Sequence, residues 1–305
     1  MKNQPAKNKI KTLGIFANLT KSDISKVISM LIKTLRMNKL DYLLDESLLP
    51  VRGKFKVKVG QEHFVNENNL CRKSDIIVSI GGDGTMLSTS LKAHLYNKPV
   101  LGVNLGKLGF LAEVNINQME TFIKEIKTGN FTIENRLVLR AECLGHKIDK
   151  LYAINDFVVD KGAWPKMIDL SIYVGKEHVT TFAADGLIIS TPTGSTGYNI
   201  STGGPIVSPK LDVIVLSPIS PHSLTMRPLV LPNKEPIFIQ TVSQHKEILI
   251  NCDGQRVFTF PPPLQIKITK SPKPLKLVHT SLTSYFETLR SKLLWGVDLR
   301  RNSLS

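Results

Sequence analysis

The sequence predicts an α/β domain followed by a mainly β domain, and three observations support this prediction. In the first third of the chain, apolar runs of strand length alternate with segments of helical spacing. From about Arg136 onward the apolar runs become short and β-type, and prolines crowd their connections, as in "PISPHS" and "FPPPLQ". Near the end, "SLTSYFETLRSKLLWG" returns to helical spacing. We therefore expect an α/β domain over residues 1–135, a mainly β domain over 136–280, and a C-terminal helix in 281–305 that returns to pack on the first domain.

The first domain is expected to begin with a strand over residues 11–18. The helix that follows carries one apolar face, formed by Ile24, Val27, Ile28, Leu31, Ile32 and Leu35. A buried strand is predicted at residues 76–80, a helix from about Thr85, and another strand at residues 99–104. Because strand–helix–strand order favours parallel pairing, this domain is predicted to be a doubly wound, Rossmann-like sheet.

Short β-type runs continue through the second domain. They predict strands at residues 152–159, 168–174, 187–190, 213–216, 237–242, 248–251 and 264–268. In the C-terminal segment Ser284 and Glu287 have the spacing of a capping box, and Phe286, Leu289 and Leu293 form an apolar stripe.

Composition limits the class of protein. No apolar run approaches the roughly 20 residues that cross a bilayer, and the basic start of the chain is followed by no long apolar core. The three cysteines are widely spaced without a CxxC pair, which argues against a zinc site or a disulfide framework. We therefore expect a cytoplasmic protein without a membrane partner. The net charge of +15 favours anionic partners, but the lysines are scattered and no nucleic-acid-binding signature occurs, so nucleic acid is not expected.

The stretch "GGDGTML" joins the predicted strand at 76–80 to the following helix. In open α/β sheets ligands bind at such strand-to-helix turns, and Gly81, Gly82 and Gly84 let backbone N–H groups approach a phosphate. Neither the P-loop pattern GxxxxGK[ST] nor the dinucleotide fingerprint GxGxxG occurs. Asp83 is a carboxylate within this anion-friendly turn, and the motif alone leaves two roles open: a cap of the helix, or a group that acts on the ligand.

A second segment, "DGLIISTPTGSTGYN", concentrates hydroxyl groups and glycines directly after a predicted strand. Such a loop offers many hydrogen bonds in a small volume, which suits a polar, hydroxyl-rich ligand that carries phosphates.

These motifs resemble those of bacterial NAD kinases. "GGDGTML", "LGKLGFLAE", "INDFVV", "DGLIISTPTGSTGYN", "STGGPIVSP", "PISPHSLTMRPLVLP", "DGQ" and the C-terminal segment occur in the family's order, and the resemblance covers about residues 13–296. It implies ATP-dependent phosphorylation of the 2′-hydroxyl of the adenosine ribose of NAD, with a divalent metal, usually Mg²⁺, carried with ATP. It also implies a homo-oligomer, a dimer or tetramer, and leaves open polyphosphate as a donor and NADH as an acceptor.

The resemblance assigns roles to individual residues. Asp83 would accept the proton of the attacking hydroxyl. The glycines of the turn would pack against the donor's phosphates, and the remaining assigned residues would contact NAD: Asn155, Asp156, Lys166, Ala183, Asp185, Thr196, Gly197, Tyr198, Asn199, Ile200, Ser201 and Gln255. Many relatives carry Glu where Asp156 stands. Gly197 replaces a frequent alanine, which widens the pocket slightly, and the position of Ala183 is often longer and polar.

Two other functions remain open on the sequence. Lipid kinases of the diacylglycerol type share the glycine turn but usually continue it with Val-Asn-Glu, whereas this chain continues with Met86-Leu87-Ser88. A non-catalytic NAD or NADP sensor would keep the pocket without turnover. His222 and Asp253 are interpreted as turn residues, the latter in a hairpin at "NCDGQ".

Overall fold

The computed structural model describes residues 4–5 (backbone only), 10–21, 23–106, 109–112, 114–281 and 284–294. The chain divides into two compact units, and each has its own hydrophobic core. The first unit combines the chain up to Asn135 with the segment from Lys276 onward, and the second is Arg136–Leu275.

The described part of the chain contains six α-helices: α1 (Ile24–Met37), α2 (Glu67–Lys73), α3 (Asp83–Leu95), α4 (Met119–Thr128), α5 (Tyr198–Ser201) and α6 (Tyr285–Leu293). Its strands are β1 (Gln4–Pro5), β2 (Thr12–Ala17), β3 (Asp41–Asp45), β4 (Phe64–Val65), β5 (Ile76–Ile80), β6 (Pro99–Asn104), β7 (Val114–Asn115), β8 (Thr132–Arg136), β9 (Leu139–Cys143), β10 (Leu151–Ala153), β11 (Asp156–Asp160), β12 (Ile168–Val174), β13 (Glu177–Ala184), β14 (Gly186–Ser190), β15 (Val213–Ile219), β16 (Leu229–Pro232), β17 (Ile237–Val242), β18 (Ile248–Cys252), β19 (Arg256–Phe260), β20 (Leu264–Lys270) and β21 (Leu275–His279). No helix in the described ranges has the length and apolar character needed to cross a membrane.

The first unit is built on one sheet with the order β1-β8-β21-β6-β5-β2-β3-β4, and β7 pairs with β6. The neighbours from β21 to β4 in this order all pair in parallel. Strand β5 is buried at every residue, because the crossover helices of a parallel sheet cover both of its faces. Since β2, β5 and β6 are parallel neighbours, their carboxyl ends lie along the same edge of the sheet. This arrangement confirms the predicted α/β first domain.

The end of the chain returns to this sheet through β21, whose Lys276 pairs with Pro99 of β6. The sequence predicted no strand here and ended the second domain at residue 280. Helix α6 follows in the first unit, with Leu289 buried. The predicted capping box is wrong: Ser284 is the N-cap residue but its side chain makes no cap hydrogen bond. Residues 295–305 of the predicted C-terminal segment lie outside the described part of the chain.

The second unit contains two six-stranded antiparallel sheets, with the orders β10-β9-β20-β17-β12-β13 and β16-β15-β14-β11-β18-β19. Inward-facing residues of both sheets, such as Leu170 and Ile239 from one and Phe157 and Ile189 from the other, form a single core. The predicted mainly β second domain is confirmed. The run predicted as one strand over 152–159 is divided into β10 and β11, and the break between them belongs to the candidate site.

Candidate active site

The glycine turn lies at the carboxyl end of the central strand β5. Helix α3 begins at Asp83, two residues before the predicted start, so Gly81 and Gly82 alone separate strand and helix. The Gly81 N–H donates to the Val103 carbonyl (3.0 Å), and the Asn18 N–H donates to the Ile80 carbonyl (3.0 Å). These bonds tie the turn to the ends of both neighbouring strands, β6 and β2.

The two glycines of this turn have different physical roles. A Cβ at Gly81 would lie 2.5 Å from Thr85 Oγ1, so close packing within the turn excludes a side chain there. A Cβ at Gly82 would meet no atom within 4 Å, so open space lies beside the backbone at the start of α3. Gly84, in the first turn of α3, is exposed. Because the first N–H groups of a helix have no intrahelical partner and carry partial positive charge, this space suits a phosphate.

Asp83 is half-buried, and a neighbouring backbone segment holds its carboxylate. Oδ2 accepts from the Phe110 N–H (3.2 Å), and Oδ1 accepts from the N–H groups of Leu111 (3.3 Å) and Ala112 (3.4 Å). A Cβ at Gly109 would lie 1.9 Å from Oδ1, so this backbone approaches the carboxylate very closely. The N-cap position of α3 is Gly82, and Asp83 therefore does not serve as the N-cap residue. The sequence indicated the "LGKLGFLAE" motif but not its contact with Asp83.

In the second unit, the hydroxyl-rich loop follows β14 and packs on the break between β10 and β11. The Thr191 hydroxyl donates to the Ile154 carbonyl (2.7 Å), and the Thr191 N–H donates to the Asn155 carbonyl (2.8 Å). A Cβ at Gly194 would lie 2.2 Å from the Asn155 carbonyl oxygen. The loop and the break are therefore joined by contacts that leave no room for larger side chains.

Several hydroxyl and amide groups of this loop stabilise the loop itself. The side chain of Asn199 is fully buried. Its Nδ2 donates to the carbonyls of Ser195 and Pro205 (3.1 Å each), and its Oδ1 accepts from the Ser217 hydroxyl (2.6 Å). The resemblance assigned Asn199 to the ligand, whereas the structure engages its side chain inside the protein.

The other assigned residues of this loop are accessible. Thr196 and Ile200 are half-buried, and Gly197, Tyr198 and Ser201 are exposed. A Cβ at Gly197 would lie 3.7 Å from Asn155 Nδ2 and 3.9 Å from Asp156 Oδ2. The loop is thus brought beside the two polar side chains that the sequence also assigned to the dinucleotide.

Asp156 forms a buried pair of carboxyl groups with Asp253. The N–H groups of Ile154, Asn155 and Asp156 all donate to the Asp253 carboxylate, over 3.0, 2.7 and 3.2 Å respectively. Burial, together with the nearby Asp253 charge, raises the pKa of Asp156 to about 7. Burial also raises the pKa of Asp253, although the three backbone hydrogen bonds act in the opposite direction. The sequence placed Asp253 in a hairpin turn, where it does lie, but missed these contacts.

The remaining assigned residues fall into two groups. The Gln255 N–H donates to the Cys252 carbonyl (3.1 Å) in the turn that holds Asp253, so Gln255 lies at the Asp156 end of β11. Three others lie toward the opposite end of β11 and β14: Asp185, Lys166 and Ala183. Because Asp156 pairs with Ser190 and Asp160 pairs with Gly186, the two ends are about 13 Å apart at the usual rise of a strand.

Asp185, Lys166 and Ala183 each make a contact with a nearby residue of the second unit. The Lys161 ammonium lies 2.6 Å from Asp185 Oδ1. Lys166 donates to Gln244 Oε1 (3.2 Å), and the Ala183 carbonyl accepts from the His222 N–H (2.9 Å). The second unit therefore brings Asn155, Asp156 and the accessible loop residues together, and it places Asp185, Lys166 and Ala183 elsewhere.

Comparison with known proteins identifies relatives of both units. A family model described as the ATP-NAD kinase N-terminal domain matches residues 13–131, and one described as the ATP-NAD kinase C-terminal domain matches residues 154–280. The NAD kinase of Geotalea daltonii is 38% identical over 84% of this chain and 92% of its own length. The NAD kinase of Pseudomonas entomophila is 36% identical over 95% of this chain and 97% of its own.

Two solved structures share the fold. A crystal structure of yeast NADH kinase complexed with NADH superposes with a TM-score of 0.87 at 24% identity, covering 96% of this chain and 90% of that chain. The NAD kinase from Archaeoglobus fulgidus in complex with ATP superposes with a TM-score of 0.70 at 26% identity, covering 93% of this chain and 98% of that chain. With both domain models matched in order and relatives aligned over nearly their whole length, the chain belongs to the ATP-NAD kinase family.

Proposed function

We propose that this protein is an ATP-dependent NAD kinase, which transfers a phosphoryl group from ATP to the 2′-hydroxyl of the adenosine ribose of NAD and so forms NADP. One observation carries the proposal. Asp83 lies at the start of α3, next to a backbone site suited to phosphate, and three N–H groups orient its carboxylate. The names of the relatives and of the solved structures support the same activity.

Asp83 has the chemistry that the acceptor requires. A sugar hydroxyl is a poor nucleophile, and a carboxylate within hydrogen-bond reach can orient it and accept its proton as phosphorus is attacked. The N–H groups of residues 110–112 hold the carboxylate in one orientation before substrate arrives. Such a base contributes about 10² to 10⁴ in rate, and orientation of the two substrates supplies much of the remainder.

The donor's phosphates would bind at the turn formed by Gly81, Gly82 and Gly84. Among the described residues, no group of three or more His, Cys, Asp and Glu side chains could hold a metal ion. Mg²⁺ in kinases is usually held by one or two carboxylates and the substrate phosphates, and in this proposal it arrives with ATP. When bound, Mg²⁺ neutralises charge on the phosphates.

The dinucleotide would bind at Asn155 and Asp156, with the backbone of Gly197 beside them and Thr196, Ile200 and Ser201 on the same loop. The exposed Tyr198 ring offers a face for stacking a base. With a pKa of about 7, the Asp156 carboxyl can keep its proton and donate a hydrogen bond to the nucleotide. Asp185, Lys166 and Ala183 would contact a more distant part of the ligand, and Gln255 would contact it from the β18–β19 turn.

The quaternary structure and location follow as further parts of this proposal. We expect a homodimer or homotetramer, which light scattering coupled to gel filtration would measure directly.

The three cysteines Cys71, Cys143 and Cys252 are buried and unpaired, which fits the proposed cytoplasmic location.

A coupled assay tests the activity. Purified protein is mixed with NAD, ATP and Mg²⁺, and NADP is detected with an NADP-specific dehydrogenase; no NADP above the blank would overturn the proposal. Asp83→Asn should lower kcat by about 10²-fold or more while NAD still binds.

A matched control is Asp75→Asn. Asp75 also holds two backbone N–H groups, those of Lys11 and Thr12, but it lies at the opposite end of β5. It should keep the wild-type kcat. Wild-type turnover by Asp83→Asn would remove Asp83 from the mechanism.

The two other functions have distinct signatures. Transfer of labelled phosphate to diacylglycerol and not to NAD would indicate a lipid kinase, which the names of the relatives do not favour. Saturable dinucleotide binding without turnover would indicate a sensor. A panel with polyphosphate as donor and NADH as acceptor would define the substrate range.

A further inference from the structure

We propose that Asp253 is a positioning residue for the dinucleotide site: its carboxylate fixes the backbone of residues 154–156 and so sets where the side chains of Asn155 and Asp156 meet the nucleotide. The inference rests on the proposed function, in which Asp253 itself has no part. The proposal explains why a buried carboxylate stands at this position, which a hairpin turn alone does not require.

The turn that carries Asp253 is held firmly against the start of β11. The side chain of Asp253 is only 3% exposed, and its backbone N–H donates to the Asp156 carbonyl (3.0 Å). Its backbone adopts a left-handed conformation with φ +58°, and Gly254 follows with φ +66°, which is the usual backbone of an Asp-Gly hairpin turn. The hairpin turn accounts for this backbone conformation but not for the burial of the carboxylate, and a buried carboxylate requires hydrogen-bond donors.

That partner is a run of three consecutive N–H groups. In a regular strand successive N–H groups point to opposite neighbours, so three of them reach one carboxylate only where the strand is interrupted. The break between β10 and β11 provides this geometry, with donor–acceptor distances of 2.7 to 3.2 Å. Without the carboxylate, these N–H groups would lose their acceptor, and buried unsatisfied donors are costly.

The opposite side of the same segment is also fixed. The Ile154 carbonyl accepts from the Thr191 hydroxyl, and the Asn155 carbonyl accepts from the Thr191 N–H. The segment therefore lies between Asp253 on its N–H side and the hydroxyl-rich loop on its carbonyl side. A shift of either partner would move the side chains of Asn155 and Asp156 together.

The charges around this pair define a second effect. Within the second unit, Arg256 Nη2 from β19 lies 3.8 Å from Asp253 Oδ2, and Cys252 is a buried thiol at the end of β18. The neighbours of Asp156 on β14 and on the hydroxyl-rich loop, Ser190 and Gly197, are uncharged. Three N–H donors and Arg256 favour the negative charge on Asp253, and that charge helps to raise the pKa of Asp156. Removing it should lower the pKa of Asp156.

Asp253→Asn is the test variant, because it keeps the size of the side chain but loses the charge and turns one acceptor into a donor. The KM for NAD should rise about tenfold or more with kcat within about threefold of wild type, which is the signature of lost binding rather than lost chemistry. The step near pH 7 in the pH profile of kcat/KM for NAD should move to lower pH. Asp75→Asn, which also removes a carboxylate that holds backbone N–H groups, should retain the wild-type KM and pH profile.

A second variant keeps the test valid if Asp253→Asn does not fold. Asp253→Glu keeps the charge but moves the carboxyl oxygens by one methylene relative to the three N–H groups, so the KM for NAD should rise while the step near pH 7 stays in place. A wild-type KM and an unshifted step in folded Asp253→Asn would overturn the inference, as would a wild-type KM in Asp253→Glu.

Failure of the proposed function gives a different result. If the wild type forms no NADP, calorimetric titration with NAD replaces the kinetic assay. Weaker NAD binding by Asp253→Asn than by Asp75→Asn would then still support the positioning role, and equal binding would overturn it. A wild type that neither forms NADP nor binds NAD overturns both proposals.

Discussion

Substitution of Gly109 by alanine is expected to disable the enzyme without touching any residue that reacts. A Cβ at this position would lie 1.9 Å from Asp83 Oδ1 and 2.6 Å from its carboxyl carbon. Favourable carbon–carbon contacts are about 3.5 Å or longer, so the carboxylate or its backbone seat must move by about 1 Å. Either movement weakens the hydrogen bonds from residues 110–112, because they are already 3.2 to 3.4 Å long.

The size of the effect follows from this displacement. A misplacement of about 1 Å at a reacting group can cost about 10² in rate. This factor corresponds to about 2.7 kcal/mol in activation free energy. We expect Gly109→Ala to lower kcat about a hundredfold in the coupled NADP assay, with the KM for NAD near that of the wild type, because the residues proposed to bind the dinucleotide belong to the other unit.

The matched control is Gly106→Ala in the same loop, where a Cβ would meet no atom within 4 Å. It should keep wild-type kcat, and circular dichroism should show that both variants are folded. If Gly109→Ala retains kcat within about threefold of wild type while Asp83→Asn is inactive, the position of the carboxylate seen here is not the one that acts in catalysis.

Two further predictions concern the second unit. Asn199→Ala removes the partners of Ser217, Ser195 and Pro205 in a buried site and should lower the free energy of unfolding by about 2 to 4 kcal/mol, measured by urea denaturation. Asn233→Ala, which loses a single exposed hydrogen bond to Asp212, should change it by less than about 1 kcal/mol, and an equal loss in both variants would contradict the structural role of Asn199. The raised pKa of Asp156 predicts a pH dependence of stability: the folded value of about 7 lies above the ordinary 3.8, so the native state binds this proton more tightly. The stabilisation from this proton is fully present below about pH 4, and it is lost as the pH rises through 7. The stability of Asp156→Asn relative to wild type should therefore be greater at pH 8 than at pH 5, and a constant difference would show that this carboxyl group is not perturbed.

Strong local patterns allowed much of the first unit to be predicted. The strands at Ile76–Ile80 and Pro99–Asn104 agree with the structure at both ends, because uninterrupted apolar runs bounded by turn residues have few alternatives. Strand β21 was missed because it has only five residues, which include a lysine and a histidine, and because it follows a proline-rich connection. So short a segment gives little periodic signal. The capping box at Ser284 failed because spacing alone does not place the hydroxyl on a backbone donor.

The candidate site was predicted in its residue types more than in its arrangement. Asp83 and the glycine turn are contiguous, so their chemistry is visible in the sequence. The N–H groups that hold the Asp83 carboxylate belong to residues 110–112, which are 27 to 29 positions away. Because these are backbone groups, no residue type in the sequence reveals the contact. Asn199 illustrates the converse, since the resemblance assigned this motif residue to the ligand, whereas its side chain is buried and hydrogen-bonded to its own loop and to Ser217 of β15.

Local patterns suffice to predict the two-domain α/β and β architecture, the glycine turn proposed to bind phosphate and the family, since each depends on short segments of the chain. The groups that restrain Asp83 become visible only in the folded chain, and so does the acidic side chain that holds the N–H groups of Ile154, Asn155 and Asp156 from 97 to 99 positions away. The physical reason is that hydrogen bonds and close contacts depend on distances in space. The chain establishes these distances only when strands far apart in sequence pair in one sheet.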